Sequence, residues 1–495
     1  MRRDHRPAVA GVLAAAAGLA VGELVAALSR PQSGPVVAVG GAVIDATPTP
    51  VKEWAVATFG MWDKPLLLSG IGLVVVGYAA AAGMLAARRH QLGYAAVVLF
   101  GLVAAGAAAS RPDARWTDPA PSALAAVVAG VALTLALRPL RPPPDPRRRQ
   151  FLVAAAAVGG VAVATGGLAA TLRSTGRQAA ERLRAAVRLP APADPARPLP
   201  AGVGPGFHTA NADFYRVDTA LTVPRLDPER WRLRITGMVG RPRELTFAEL
   251  LGRPLTERDI TLNCVSNEVG GPYVGTARWL GVPVAALLRE AGVLAGADQL
   301  ITRSTEGMTI GTPLTTILDG RDALLAVAMN GEALPFANGF PARMITPGVY
   351  GYVGACKWVT ELEVTTFAEV DAYWVKRDWA AQAPVKTASR IDRPAPFARL
   401  AAGPTTIAGV AWAQRRGISA VRVQIDQGPW QEAELLPVPS IDTWVQWRLP
   451  WAASPGSHTL RVQAVDARGD AQTAARARPF PDGATGWHTV VVTVT

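Results

Sequence analysis

Cysteine is nearly missing from this chain: its 495 residues include two, Cys264 and Cys356. Two cysteines cannot build a disulfide framework, and a single bridge between them stays open as a pairing. Histidine is almost as rare, with five scattered residues and no CxxCH motif, so no haem site is evident. Charged residues are also sparse, at 18 % of the chain, whereas apolar residues make up half. The net charge of +12 comes almost wholly from arginine. Such a value first points to nucleic acid. Many of these arginines flank apolar runs, however, where they act as topology signals, so no nucleic-acid partner is expected.

What is abundant is alanine, valine, leucine and glycine, concentrated in the first third. Five apolar runs, at about 8–28, 65–87, 93–110, 120–137 and 151–172, approach the roughly 20 residues that cross a bilayer. They lack polar faces, which argues against a large soluble helical core. The stretch "GPVVAVGGAVIDA" at 34–46 is too short to span, and with "VKEWAVATFGMW" it reads as re-entrant or interfacial. Basic segments "MRRDHR", "ARRHQ" and "LRPLRPPPDPRRRQ" alternate with the less basic "SRPQSG" and "SRPDARWTDPAP". The positive-inside bias then places the N-terminus in the cytoplasm and everything after residue 172 outside it. Arg148 and Arg149 precede Phe151 and Leu152 and a weakly hydrophobic run, a pattern that resembles a twin-arginine export signal. An ordinary basic flank reads the same way. Glu23 is the only acid well within a clear span; intramembrane acids are often functional, and one near a helix end is also accounted for as interfacial.

After a polar helical pattern and a Pro- and Ala-rich linker, periodicities mix from about residue 206. "WRLRITGMV" and "TELEVTTF" alternate as strands do, and "TFAELLG" and "VPVAALLREAGV" read as short helices, the second stopped at Gly292. This is α+β patterning. Past about 375 the helical patterns cease. "TTIAGVAWA", "ISAVRVQID", "WVQWRLPW", "HTLRVQAVDA" and "HTVVVTVT" predict an antiparallel sandwich of immunoglobulin-like size. Cys264 closes the alternating run "RDITLNC" and precedes the turn-rich "VSNEVGG". A thiol at a strand end facing a glycine-rich loop is placed like a metal ligand, although most free cysteines are small buried hydrophobes.

The blocks "FYRVDTALTVPRLDPERWRLRITGMV", "TLNCVSNEVGG", "TARWLGVPVAALL" and "MNGEALPFANGFPARMITPGVYGYVGACKWVTELEV", followed by the terminal strands, resemble in order the sulfite oxidase family of molybdenum enzymes. The resemblance runs from about 207 to the end. It implies one molybdenum–molybdopterin per chain, with the metal held by the pterin dithiolene and by Cys264. It implies pterin contacts from Tyr215, Arg216, Asn338, Arg343, Gly354 and Lys357, with the arginine suited to a phosphate. Gly270 and Gly271 are expected to let the backbone approach the cofactor. Cys356 reads as a packed thiol, and Trp279 as either a wall of the substrate pocket or a core residue. Arg216 and Trp279 join Cys264 as the expected catalytic set.

The expected architecture is therefore multi-domain. A transmembrane bundle covers 1–175, a linker 176–205, an α+β molybdopterin domain 206–372 and an immunoglobulin-like, dimerisation-type sandwich 373–495. The expected protein is an oxidoreductase of the outer membrane face, transferring an oxygen atom to or from a small substrate. It would take or deliver electrons through a quinone or a redox protein, with a homodimer as a further expectation. Two departures weigh on the substrate. Where animal sulfite oxidases carry a second arginine after the cysteine, this chain has Glu268, which repels an anion; where they carry a tyrosine before "MNG", it has Val327. A neutral substrate is expected. The rival readings are a non-catalytic protein built on a degenerate pterin domain, and a membrane third that works as a transport or quinol module.

Overall fold

A computed structural model describes residues 5–59, 62–111, 114–138 and 148–495. The chain divides into two compact units, one of residues 1–182 with 218–223, the other of 183–217 with 224–495.

The first unit is helical: α1 (Arg6–Leu28), α2 (Pro35–Ala46), α3 (Thr49–Phe59), α4 (Asp63–Arg88), α5 (His90–Ala109), α6 (Ala120–Leu137) and α7 (Arg148–Ala186). Five of these, α1, α4, α5, α6 and α7, are long and apolar enough to cross a membrane. Their inward faces are mostly alanine and glycine, with a few large residues such as Leu133 and Phe151, while Leu73, Val74 and Val163 stand exposed. That inversion suits an apolar solvent, in which helices associate by close backbone approach rather than by hiding large side chains. The approach is tight: a Cβ at Gly11 would lie 2.1 Å from the Ala79 carbonyl oxygen, and one at Gly18 2.3 Å from that of Ala125. Ion pairs tie this unit together where charge does occur. Arg30 meets Asp118 at 2.5 Å, Lys64 meets Asp218 at 2.8 Å, and Glu23 pairs with Arg173 of α7. Glu23 thus serves as a helix-to-helix contact.

Within the stretch too short to span, Pro35–Ala46 form a regular 12-residue helix. One local reading changes. The last apolar run does not stop near residue 172 to begin a separate polar helix; α7 continues for 39 residues, because "RSTGRQAAERLRAA" is rich in strong helix formers. Most of the basic segment before α7, 139–147, lies outside the described residues.

The second unit is β-rich. Its first part carries β1 (Arg232–Gly237), β2 (Arg243–Thr246), β3 (Thr256–Asn263), β4 (Val274–Pro283), β5 (Gln299–Ser304), β6 (Thr309–Pro313), β7 (Leu324–Met329), β8 (Glu332–Ala333), β9 (Arg343–Ile345) and β10 (Val359–Thr365). One sheet runs β2-β1-β10-β5-β6, and a second runs β3-β4-β7-β8 with β9 on β7. The short helices are α8 (Phe247–Leu251), α9 (Val284–Ala291), α10 (Leu314–Leu318) and α11 (Gly351–Gly354). Thr246 and Glu249 close a capping box at the start of α8. Gly292 ends α9 at φ 71°, as a left-handed cap requires.

The second part is all strand: β11 (Ala388–Arg393), β12 (Arg399–Leu400), β13 (Gly403–Trp412), β14 (Ile418–Ile425), β15 (Trp430–Glu432), β16 (Glu434–Leu435), β17 (Val445–Ala453), β18 (Gly456–Asp466) and β19 (His488–Val494). They form two sheets, β11-β13-β17-β16 and β12-β19-β18-β14-β15. Ile407 and Trp447 of one sheet share a core cluster with Val421, Leu460 and Val492 of the other. Burying each such side chain contributes about 1.5–3 kcal/mol.

Candidate active site

Strands β3 and β4 pair antiparallel from Thr256↔Gly281 to Asn263↔Val274. Cys264 is the first residue of the loop that joins them. Its N–H donates to the Tyr273 carbonyl (2.9 Å), and its own carbonyl accepts from Asn267 N–H (3.1 Å). Asn267 Oδ1 accepts from Tyr273 N–H at 2.8 Å, closing the loop from within. The thiol is therefore fixed by backbone on both sides and is only 9 % exposed.

Burial pushes the Cys264 thiol above its ordinary pKa, while hydrogen bonds from Ser266 and the charge of Lys357 pull it down. Tyr215 is raised well above the tyrosine range, first by burial and then by Cys264, with Arg343 opposing. Tyr350 is pushed up to about 12, mainly by burial, and also feels Cys264. These couplings gather Cys264, Tyr215, Tyr350, Arg343 and Lys357 into one electrostatic neighbourhood. Phe214 stacks on Tyr215 with centroids 5.3 Å apart and meets Trp279 edge-on at 5.7 Å.

The 3₁₀ turn Phe336–Asn338 and the left-handed Gly339 (φ 114°) bring the remaining residues in. A Cβ at Gly339 would press on Arg343 Cβ at 2.9 Å and on Lys357 Cα at 3.2 Å, so only glycine allows those two cations to converge. Arg343 is buried, donates from Nη1 to the Asn338 carbonyl (3.0 Å), and lies 5.1 Å over the Trp279 ring. Lys357 Nζ rests 5.1 Å over Trp358. Of the expected residues, Cys264, Tyr215, Asn338, Arg343, Lys357 and Trp279 come together. Arg216 follows Tyr215 and is half-buried. Gly354 ends α11, where a Cβ would strike Val349 and Thr346 at 2.5 and 2.8 Å.

Several expectations change. Trp279 has no exposed surface, and its indole N–H donates to the Ile260 carbonyl at 3.1 Å. Of its two readings, the packed one holds: it is the floor under Arg343. Gly270 and Gly271 make room for protein, because their Cβ atoms would meet the His488 ring at 2.2 Å and Asn267 Oδ1 at 2.6 Å. Val327 is fully buried in β7, whereas Glu268 is exposed. Cys264 and Cys356 are both free thiols; Cys356 is 1 % exposed, and burial raises its pKa.

Tyr350, Asn263 and Thr346 were not singled out from sequence. Tyr350 stood inside a matched block, but nothing local marked it as facing Cys264. Asn263 Oδ1 and Thr346 Oγ1 are buried without a hydrogen-bond partner among the described residues. Orphaned acceptors and donors of this kind call for a polar ligand or water. A soft thiol, two converging cations and these orphans form a donor set that fits a phosphate-bearing, sulfur-seeking metal cofactor.

A family profile described as "Oxidoreductase molybdopterin binding domain" matches residues 220–374. This range holds every candidate site residue except Tyr215 and Arg216, which lie just before it. Mitochondrial sulfite oxidase of Mus musculus is 31 % identical over 285 residues, covering 48 % of this chain and 51 % of the mouse protein. Sulfite oxidase of Gallus gallus is 30 % identical over 309 residues, covering 52 % of this chain and 67 % of the chicken protein. An NADH nitrate reductase of Oryza sativa subsp. japonica is 36 % identical over 200 residues, or 35 % of this chain and 22 % of the rice protein. Among solved structures, the sulfane dehydrogenase SoxCD from Paracoccus pantotrophus superposes with a TM-score of 0.52 at 25 % identity, over 58 % of this chain and 83 % of that one. The chain thus spans about half the length of the mammalian relatives it matches.

Proposed function

The chain belongs to the sulfite oxidase family of molybdopterin-binding oxidoreductases, and from that we propose that it is a membrane-anchored enzyme transferring one oxygen atom to or from a small neutral substrate. The reading rests above all on the meeting of Cys264 with Arg343, Lys357 and Tyr215 at the buried end of β3. A molybdenum–molybdopterin bound there, one per chain, supplies a metal that changes by two electrons as an oxygen atom moves. Cys264 offers the protein's sulfur ligand. Arg343 and Lys357 bind the pterin phosphate, the first as a planar fork and the second as a point charge. Asn338 and Gly354 shape the cradle with backbone groups. Tyr215 carries its hydroxyl proton at neutral pH, as any tyrosine does, and so can donate from its hydroxyl. Arg216 orients the substrate at the mouth, with Trp279 holding Arg343 in place from below.

The five long apolar helices serve as spans, with the N-terminus in the cytoplasm and the β-rich unit outside. Arg148 and Arg149 direct its export already folded. The pair of terminal sheets is an immunoglobulin-like sandwich that serves dimerisation, beginning near residue 373 as expected from sequence, whereas the membrane part reaches past residue 175 because α7 runs on to residue 186. Electrons pass to or from a quinone or a redox protein.

Metal analysis of purified full-length protein tests the proposal. Molybdenum near one atom per chain is expected, with turnover lost in Cys264→Ser. Full activity in metal-free protein would overturn it.

A further inference from the structure

The loop that carries Cys264 is held from outside its own sheet. Gly270 takes φ +81°, and its Cα faces the His488 ring so closely that a Cβ would sit 2.2 Å from Cδ2. Next to it, Arg390 Nη1 donates to the Gly271 carbonyl at 2.9 Å. Both gripping residues come from the terminal sheets: Arg390 lies on β11, and His488 opens β19. They are themselves braced. His488 Nδ1 accepts from the Ile391 N–H at 3.0 Å, and Arg390 Nε donates to Asp392 at 2.5 Å.

We propose that His488 and Arg390 are positioning residues for the substrate mouth, fixing the Asn267–Gly271 turn and with it the side chain at 268. The inference rests on the proposed function for its substrate readout, but the mechanical part stands alone. The turn has three internal ties: Asn267 N–H to the Cys264 carbonyl, Gly271 N–H to the Glu268 carbonyl, and Asn267 Oδ1 to Tyr273 N–H. None of them sets where the turn lies over the thiol. The two outside contacts do, one by excluding volume and one by a directed, charge-assisted hydrogen bond. Because Nδ1 is an acceptor, the ring is neutral and its Nε2 carries the proton, on the side of Gly270. Adding a second proton would turn Nδ1 into a donor facing another donor, and the clamp would release. Arg390 and Asp392 on β11, and Arg476 in the segment before β19, are the charged groups that face the ring. Burial first, then Arg390, keeps its pKa below the ordinary histidine value, with Asp392 opposing and Arg476 assisting.

Full-length protein in detergent, as wild type, Arg390→Ala, Arg390→Lys and His488→Ala, distinguishes this from a merely structural role. Amide hydrogen exchange in the peptide spanning 265–273 should quicken by about tenfold in Arg390→Ala, the loss of roughly one hydrogen bond, and severalfold in His488→Ala, where the packing against Gly270 is lost. Arg390→Lys should restore much of it. Melting temperature should stay at the wild-type level in Arg390→Ala and fall somewhat in His488→Ala, which leaves the Ile391 N–H unpaired; in both, molybdenum content should stay at the wild-type level and KM should rise severalfold with kcat little changed. Lowering the pH from 7 to 5 should speed exchange at the turn in wild type, beyond the change in intrinsic chemistry, and not in His488→Ala. Unchanged exchange in both alanine variants overturns the positioning role, whatever the enzyme turns over. Faster exchange with an unmoved KM confines the clamp to structure and overturns its part at the mouth. A wild type lacking molybdenum defeats the proposed function instead and leaves the exchange result to decide the clamp.

Discussion

Replacing Asp259 with alanine should destabilise the strand that delivers Cys264. Asp259 sits on β3 with its carboxylate 2 % exposed. Arg278 on β4 grips it with two bonds, Nε to Oδ1 at 2.9 Å and Nη2 to Oδ2 at 2.8 Å, and His208 Nε2 meets Oδ1 at 2.8 Å. Removing one partner of a buried, doubly bonded pair costs about 3–5 kcal/mol, because the other charge is left without compensation. Arg278 is about a quarter exposed, so water recovers part of this and about 2–3 kcal/mol is expected. Burial works to raise the Asp259 pKa, but the bonds from Arg278 and His208 win and lower it. A depressed carboxylate contributes stability above its unfolded value, near pH 4, and loses it as the pH falls through the folded value. Urea unfolding of the full-length protein, followed by tryptophan fluorescence, should show the deficit in Asp259→Ala undiminished between pH 5 and 7. It should narrow only below about pH 4. A deficit under about 0.5 kcal/mol at pH 7, in the range of ordinary surface substitutions, would refute the reasoning.

Arg343→Ala should lower pterin and molybdenum content by about tenfold or more, from the loss of a bidentate charge contact, while Arg343→Lys retains part of it; cofactor extraction and fluorescence measure both. Lysines in place of Arg148 and Arg149 should leave the β-rich unit in the cytoplasm, read by protease accessibility in spheroplasts, with normal export counting against the signal. Glu268→Arg should raise kcat/KM for sulfite by about fivefold to tenfold and leave a methyl sulfoxide unchanged, the modest size following from the exposure of Glu268 to solvent screening; a hundredfold gain would place the side chain deep in the pocket.

Periodicity carries the reading where burial is one-sided: the helix capped by Gly292 and the five longest terminal strands repeat with the period of their element, and each forms as expected. The run ending at Cys264 forms its strand although Asp259–Asn263 are buried on both faces. The short strands β12, β15 and β16 have too few residues to show a period. β11, "ASRIDR", has its alternation masked by Ser389, a polar residue at a buried position where its hydroxyl donates to Oε1 of Gln472, far along the chain. The same distance effect hid the role of Gly270: a glycine announces that something comes close, but its partner, His488, is remote in the chain. At the site, Cys264, Asn338 and Arg343 were legible because their chemistry and their motif agree. Trp279 was ambiguous because alternation gives a face of the strand and not what covers it. Tyr350, Asn263 and Thr346 acquire meaning only when β3, β9 and α11 are folded together.

Thr261 of β3 gives its N–H to the Asp442 carbonyl, its hydroxyl accepts from Trp444 N–H, and its carbonyl accepts from Gln414 Nε2. All three partners belong to the terminal strand region, and Thr261 is buried. A fragment ended near residue 373, where the helical patterns give way to strands, would strip all three partners from the very strand that presents Cys264, leaving the Thr261 hydroxyl only its contact with Thr276 and opening its N–H and carbonyl to water. Shortening the protein there would yield an insoluble remnant rather than a minimal enzyme, and partial unfolding that begins in the last hundred or so residues would cost the thiol its place at once. Loss of the C-terminal strands, by proteolysis or heat, would therefore silence the site without any bond at the thiol being touched.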